Sequence, residues 1–213
     1  MHPSTCVAVL ILASATASQA AELVVKDLGV SIAALPTAFD YRIESPTLSR
    51  SGSDAFASGT EFALGGRYSF ARPGDSIGLV LGADILADTW TYGSDGILGS
   101  AGVRVSAGLG WAITDDWSVV AEPGARYGVT TLDLPGSSSR GDISGSGSCS
   151  GYDAKLLVLW QLRPGLLVSA QAGWLDLSHE VSDDDVDLTL DQGGLMLGIG
   201  LAWRWSTAPP RIE

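Results

Sequence analysis

Period-two alternation of apolar and polar residues, connections that alternate between short and long, and a minority strand face rich in glycine and balanced charge together predict an all-β fold. The architecture they describe is an eight-stranded antiparallel up-and-down transmembrane β-barrel. Composition agrees. The 213 residues carry 24 acids against 12 bases, a net charge of −12, with 46% hydrophobic residues and 27 glycines. Mean hydropathy is +0.24, too apolar for a disordered chain. The acidic balance opposes the positive patches of a nucleic-acid binder, so no nucleic-acid partner is expected. The glycines follow no G-X-Y period, which excludes collagen.

Residues 7–13 form a short apolar core, and Ser18-Gln19-Ala20 fits the small-x-small pattern of a signal-peptidase site. Residues 1–20 are therefore assigned to a signal peptide cleaved after Ala20, residues 21–205 to the barrel and 206–213 to a short C-terminal tail; a buried apolar segment is the alternative for the first. No later run reaches the roughly 18 to 20 apolar residues that a membrane helix requires. Cys6 leaves with the signal, so Cys149 has no internal disulfide partner in the mature monomer.

The first strand is placed at 37–44, where Phe39, Tyr41 and Ile43 alternate with Asp40, Arg42 and Glu44, although Pro36 interrupts a run that begins near Leu28. Residues 58–71 follow, with Phe62, Leu64, Tyr68 and Phe70 against Glu61, Gly65, Arg67 and Ser69. Residues 75–90 set Ile77, Leu79, Leu81 and Ile85 against Gly78, Gly82, Asp84 and Asp88. Segments 97–113, 117–131 and 152–163 repeat the arrangement, and 195–205 shows it most clearly. Segment 165–181 alternates less cleanly, and a bulge near Trp174 would restore its phase. Short turns are expected at 72–75, 114–116 and 163–165, where Pro, Gly and Asp supply the dihedrals. Long loops are expected at 45–58, 91–96, 132–151 and 182–192.

Alternation alone does not say which face points inward. A soluble ligand-carrying barrel would enclose the apolar set, whereas a membrane barrel turns it to lipid. The minority face carries Arg42, Arg67, Arg104, Arg126, Lys155 and Arg204 against Asp40, Glu44, Glu61, Asp84, Glu122 and Asp153, a near balance that an enclosed ionic interior requires. Small residues such as Gly102, Gly108, Gly110, Gly198 and Gly200 share that face, as a narrow lumen demands. Aromatics collect at both ends of the apolar faces. Tyr68, Phe70, Trp111, Trp117, Trp160, Trp203 and Trp205 lie beside the short turns or the final strand end, and Phe39, Tyr41, Phe62, Tyr127, Tyr152 and Trp174 lie toward the long loops. They form a pair of interface girdles. The expected interior is a lumen plugged by ion pairs.

The segments Gly108-Leu109-Gly110-Trp111-Ala112-Ile113-Thr114-Asp115-Asp116-Trp117 and Gly198-Ile199-Gly200-Leu201-Ala202-Trp203-Arg204-Trp205 resemble the turn and closing strand of small bacterial outer-membrane barrels of the OmpA/OmpX-like eight-stranded family. The resemblance extends over most of 27–205. It implies insertion by the barrel assembly machinery with the final aromatic strand as recognition element, residence among outer-membrane lipid and lipopolysaccharide, periplasmic termini and a monomeric state.

Some outer-membrane barrels modify lipid A, which directs a search for nucleophiles. His179 is the one histidine after residue 20, but neighbouring Ser178 and Glu180 point to the opposite strand face, so a serine from another strand would be needed. Asp183, Asp184, Asp185, Asp187 and Asp191 could collect a divalent cation or form a plain solvated loop. Arg140-Gly141-Asp142 matches a tripeptide of integrin ligands, the basis of an adhesin reading. No nucleotide loop, metal-ligand cluster or heme motif is present, and no cofactor is expected. The expected role is envelope structure or surface interaction through long acidic loops, with a lipid-modifying barrel enzyme as the competing class.

Overall fold

The computed structural model describes residues 23–45, 48–55, 58–71, 76–92, 96–135, 143–183 and 186–206. The expected signal segment at 1–20, the turn expected at 72–75, Arg140-Gly141-Asp142, Asp184, Asp185 and residues 207–213 lie outside the described residues. Ten antiparallel strands form one sheet: β1 Leu23–Ala34, β2 Ala38–Ser45, β3 Leu48–Ala55, β4 Ser58–Ala71, β5 Ile77–Tyr92, β6 Gly96–Ala112, β7 Trp117–Leu134, β8 Ile143–Arg163, β9 Leu166–Asp183 and β10 Val186–Ser206.

Eight of them close a ring. β1 pairs with β4 on one side and β10 on the other, while β4 through β10 pair in sequence order. The count of eight is that expected, but the first wall strand is β1 and not 37–44. Its inward set, Asp27, Gly29, Ser31 and Ala33, is small or polar, and its outward set, Leu28, Val30 and Ile32, is exposed. The contrast is weak because only one inward residue is charged. β2 and β3 are instead a hairpin mounted above the ring, where β2 pairs with Asp187–Gln192 of β10.

Pro36 marks the corner where the chain leaves β1 and re-enters as β2. A proline without an N–H suits a point at which ladder pairing stops. Its carbonyl accepts hydrogen bonds from the Trp90 indole, at 3.0 Å, and from the Gln192 amide. Opposite it, Gly194 has φ of 155°, and a Cβ there would lie 3.0 Å from the proline ring. Only glycine meets both conditions without strain.

The strands run further than the sequence suggests. β7 reaches Leu134, β8 begins at Ile143, and β9 and β10 are separated by 184–185 alone, so much of the expected loops at 132–151 and 182–192 is tall sheet. Asp187 and Asp191 are accordingly exposed strand residues. Nor is there a bulge at Trp174. β9 pairs with β10 without interruption from Leu166 to Asp183, and the one register shift with β8 lies at Gln161/Arg163. Odd positions of β9 face inward from Leu167 to Val181.

What changes near Trp174 is the chemistry of each face, with the phase intact. Below it the outward residues are apolar or small (Val168, Ala170, Ala172), and above it they are Asp176, Ser178 and Glu180. Inward residues change in the opposite sense, from Ser169 and Gln171 to Leu175, Leu177 and Val181. β7 shows the same switch, with Glu122 and Arg126 inside low in the wall, Leu132 inside high, and Asp133 outside beside it. In lipid, apolar groups belong outside; above the membrane, burial from water drives them in. The upper lumen therefore holds an apolar core including Phe39, Trp90, Leu98, Leu132, Leu177 and Met196, while Val80, Val120, Leu157 and Leu159 form a smaller one near the short turns.

Two leucines in different surroundings test this division. Leu177 is 1% exposed in the upper core, and Leu197 is 53% exposed on the lipid-facing belt. Leu177→Ala is expected to cost about 2–5 kcal/mol of stability, and Leu197→Ala much less, measured by denaturant titration of protein folded into phospholipid vesicles.

Candidate functional site: the ionic layer inside the barrel

Between the two apolar cores the inward positions of β4 to β8 carry charge. Arg104 of β6 is fully buried and forms its centre. Its Nη1 donates to Asp84 Oδ2 at 3.1 Å and Glu122 Oε1 at 2.9 Å, its Nε and Nη2 donate to Asp153 at 2.9 and 2.7 Å, and Nη2 also reaches the Glu122 carbonyl at 3.2 Å. The guanidinium has five N–H groups and no acceptor, so a buried arginine needs such a ring of oxygens. Gly124 leaves the room: a Cβ there would sit 2.7 Å from Arg104 Nε.

Around this centre, Arg67 grips Glu122 with two bonds of 3.0 and 2.7 Å, the bidentate geometry that gives strong charge-assisted pairs. Arg126 reaches Asp153 at 2.6 Å, Glu61 at 2.6 Å and Asp88 at 3.8 Å, and Lys155 donates to Glu61 at 3.2 Å. Asp88 also accepts from Ser100 Oγ at 3.1 Å. Nearer the short-turn end, Arg204 holds Asp27 through two 2.8 Å bonds.

Strand register shows why these pairs reach beyond directly opposite residues. Arg104 stands directly opposite Arg126, and Glu61 opposite Asp88. Like charges at such positions repel. Asp153 relieves the first contact by accepting from both arginines, and Arg126 relieves the second by bridging the two acids. Each strand's position thus depends on a charge carried by another.

Of the twelve charged residues expected on the enclosed face, nine lie inside the barrel: Glu61, Arg67, Asp84, Arg104, Glu122, Arg126, Asp153, Lys155 and Arg204. Asp40, Arg42 and Glu44 do not. They project from the β2 hairpin into water, where Arg42 pairs with Glu44 at 2.8 Å and Asp40 accepts from Ser53 at 2.8 Å. β2 alternates as a wall strand does, but it lies in the hairpin above the ring. Asp27 and Asp88 are additional members. Asp88 is in phase with Asp84 and was legible; Asp27 was hidden with β1.

Outside, Tyr68, Trp117, Trp160, Trp203 and Trp205 are exposed toward the short-turn end, with Phe70 and Trp111 half-buried among them. Trp117 and Trp160, cross-strand partners, stack with centroids 5.4 Å apart. Tyr127, Tyr152 and Trp174 are exposed at the other end of the belt. Phe39 is not in that girdle: it is buried in the upper core, edge-on to Trp90 at 5.7 Å, and Tyr41 is half-buried beneath the hairpin. No helix among the described residues is long and apolar enough to cross a membrane; the strands supply the lipid-facing surface.

The lumen leaves little free space. A cavity among Asp27, Arg67, Asp84 and Gln171 measures about 30 Å³, roughly one water's share of volume. His179 is buried above the belt, its Nδ1 3.3 Å from the Thr130 hydroxyl and its ring 5.3 Å from Trp90. The hydroxyl it meets belongs to a threonine, and Ser178 faces the other side of the strand. Burial lowers its pKa from 6.5 to about 4, partly opposed by the Asp191 carboxylate.

Two outcomes follow from this interior. Arg104→Met takes one of two arginines from Glu122 and from Asp153 and leaves Asp84 only a 4.0 Å contact to Arg67, and is expected to cost about 3–5 kcal/mol, part of which Asp84→Asn in the same chain restores, read from unfolding midpoints in vesicles. His179 is neutral in both folded and unfolded chain at pH 7. As pH falls from 6.5 toward 4, the unfolded chain binds a proton that the folded one refuses, so stability is lost across that window, by about 3 kcal/mol in full. His179→Gln is expected to flatten that part of the stability–pH curve.

No protein-family model matches the sequence, and no curated protein matches it. Solved structures do. The outer-membrane protein OprG from Pseudomonas aeruginosa aligns over 87% of this chain and 97% of its own at 13% identity, with a TM-score of 0.54. Ail, the attachment invasion locus protein of Yersinia pestis, aligns over 84% and 99% at 16% identity with a TM-score of 0.42, and Neisserial surface protein A over 81% and 95% at 12% with 0.42. Lipid-facing belt, closed ring and the likeness to OprG agree: this chain has the fold of the small outer-membrane β-barrel proteins.

Proposed function

We propose that the protein is a monomeric barrel of the bacterial outer membrane that contributes to envelope structure and surface interaction, and that it is neither an open channel nor an enzyme. The observation that carries this reading is the filled lumen, in which apolar, ionic and apolar layers succeed one another along the axis. Hydrated ions would have to displace paired charges, each held at a cost of several kcal/mol if left alone. The location of its one mature-chain histidine in a buried apolar setting argues against lipid hydrolysis.

The surface role rests on what rises above the belt. The outward residues Asp176, Glu180, Asp187 and Asp191 on β9 and β10, with Asp40 and Glu44 on β2, form an exposed acidic wall beside the hairpin. The belt itself fits outer-membrane lipid and lipopolysaccharide, and β10 with Trp203 and Trp205 is the segment offered to the assembly machinery. The start of β1 and the end of β10 are neighbours at the short-turn end, in keeping with periplasmic termini. Planar-bilayer recording of the refolded chain is expected to show no stable conductance of nanosiemens order; such a conductance would refute the closed lumen.

A further inference from the structure

Beneath the β2–β3 hairpin, at the water-facing mouth of the barrel, lies a half-open cavity of about 190 Å³. Its apolar walls come from four wall and hairpin strands: Phe39 and Ile43 of β2, Leu134 of β7, Ile143 of β8, and Leu188 and Leu190 of β10. It is smaller than the roughly 300–1,000 Å³ of sites for drug-sized ligands. A single ring or a short acyl chain fits that space.

The charged groups of the cavity come from β3. Arg50 and Asp54 stand opposite Ile43 and Phe39 on the same face of the hairpin, with Gly52 between them. A Cβ at Gly52 would lie 2.8 Å from the Tyr41 hydroxyl oxygen, so its bare backbone lets the tyrosine ring lie across β3. The two charged residues differ in their partners. Asp54 already accepts from the Tyr92 hydroxyl at 3.3 Å and from the Ala55 N–H at 2.8 Å. Arg50 has no ion pair among the described residues, and four residues of extended strand place it about 13 Å from Asp54 along the backbone. An apolar cavity with one unneutralised guanidinium at its edge is complementary to an apolar body with an anionic end, since a carboxylate matches the guanidinium fork.

We propose that this cavity binds small anionic amphiphiles of the monocarboxylate class, with the apolar body under the hairpin and the carboxylate on Arg50. The site opens to water above the Trp174 level, so the ligand arrives from the external medium and not through the lumen. Filling the cavity removes apolar wall from water, and the charge-assisted bond to Arg50 sets the sign of the head group.

The test uses the full mature chain in phospholipid nanodiscs, free of alkyl detergent, titrated calorimetrically with octanoate, phenylpropionate, octanol and octylammonium against empty nanodiscs. Saturable binding of at least one carboxylate is expected, tighter than either octanol or octylammonium. Arg50→Gln is expected to weaken that carboxylate by about ten- to a hundredfold while leaving octanol unchanged. Ile143→Trp, which fills the cavity from its rim, is expected to abolish binding of both. The proposal is overturned if neither carboxylate gives heat beyond empty nanodiscs, if octylammonium binds as well as octanoate, or if Arg50→Gln binds carboxylate as the parent does. Because Arg50 is exposed, Arg50→Gln is readable even if Ile143→Trp does not fold.

Discussion

The walls of this barrel keep one inside–outside phase while the medium around them changes from hydrocarbon to water. Side-chain direction in a strand is fixed by period two, so a strand cannot exchange its faces without a bulge. β9 and β7 contain none at the transition, and the amino acids themselves change sides instead. Low in the wall, polar residues are enclosed and apolar ones meet lipid; high in the wall, the arrangement is that of a water-soluble barrel. The hairpin, the upper core and the acidic outer surface all belong to this second regime.

The ionic layer is the consequence of the first regime. Residues that cannot face lipid are turned inward at several strands at once, and in a ring of eight strands they meet. Desolvation makes every unpaired charge costly, and repulsion between direct neighbours such as Arg104 and Arg126 would add to that cost. Both are offset by contacts between neighbouring strands and across the lumen, above all through Asp153 and Glu122, each of which serves two arginines. The apolar layers at either end separate these pairs from water, where screening would weaken them. Closure of the lumen and registry of the ring are thus the same set of interactions.

The membrane-level part of the fold was legible because the contrast between faces is strong there: Leu197 and Ile199 against Gly198 and Gly200, or Ala125 and Tyr127 against Arg126 and Gly128. β1 was not, because Gly29, Ser31 and Ala33 give little contrast and Pro36 draws attention to the better alternation beyond it. The first wall strand therefore reads as 37–44, which puts Arg42 inside and omits Asp27, whereas the structure gives that place to β1. The upper walls read as loops at 132–151 and 182–192 because the Ser/Gly run of 144–151 and the acidic run of 183–187 give little apolar contrast, while Leu175, Leu177 and Val181, turned inward, make 165–181 alternate less cleanly. The apparent bulge near Trp174 was the change of medium. The cavity beneath the hairpin joins β2, β3, β5, β7, β8 and β10, and no local spacing encodes such a meeting.

Spin-label accessibility along β9, from residue 167 to 182 in lipid vesicles with Cys149 replaced by serine, probes the central relation most directly. Even positions are expected to be open to oxygen and closed to a polar nickel reagent up to Trp174, then open to the nickel reagent above it, while odd positions stay closed to both throughout. A shift of the accessible set from even to odd positions on passing Trp174 would contradict a continuous strand crossing from lipid into water.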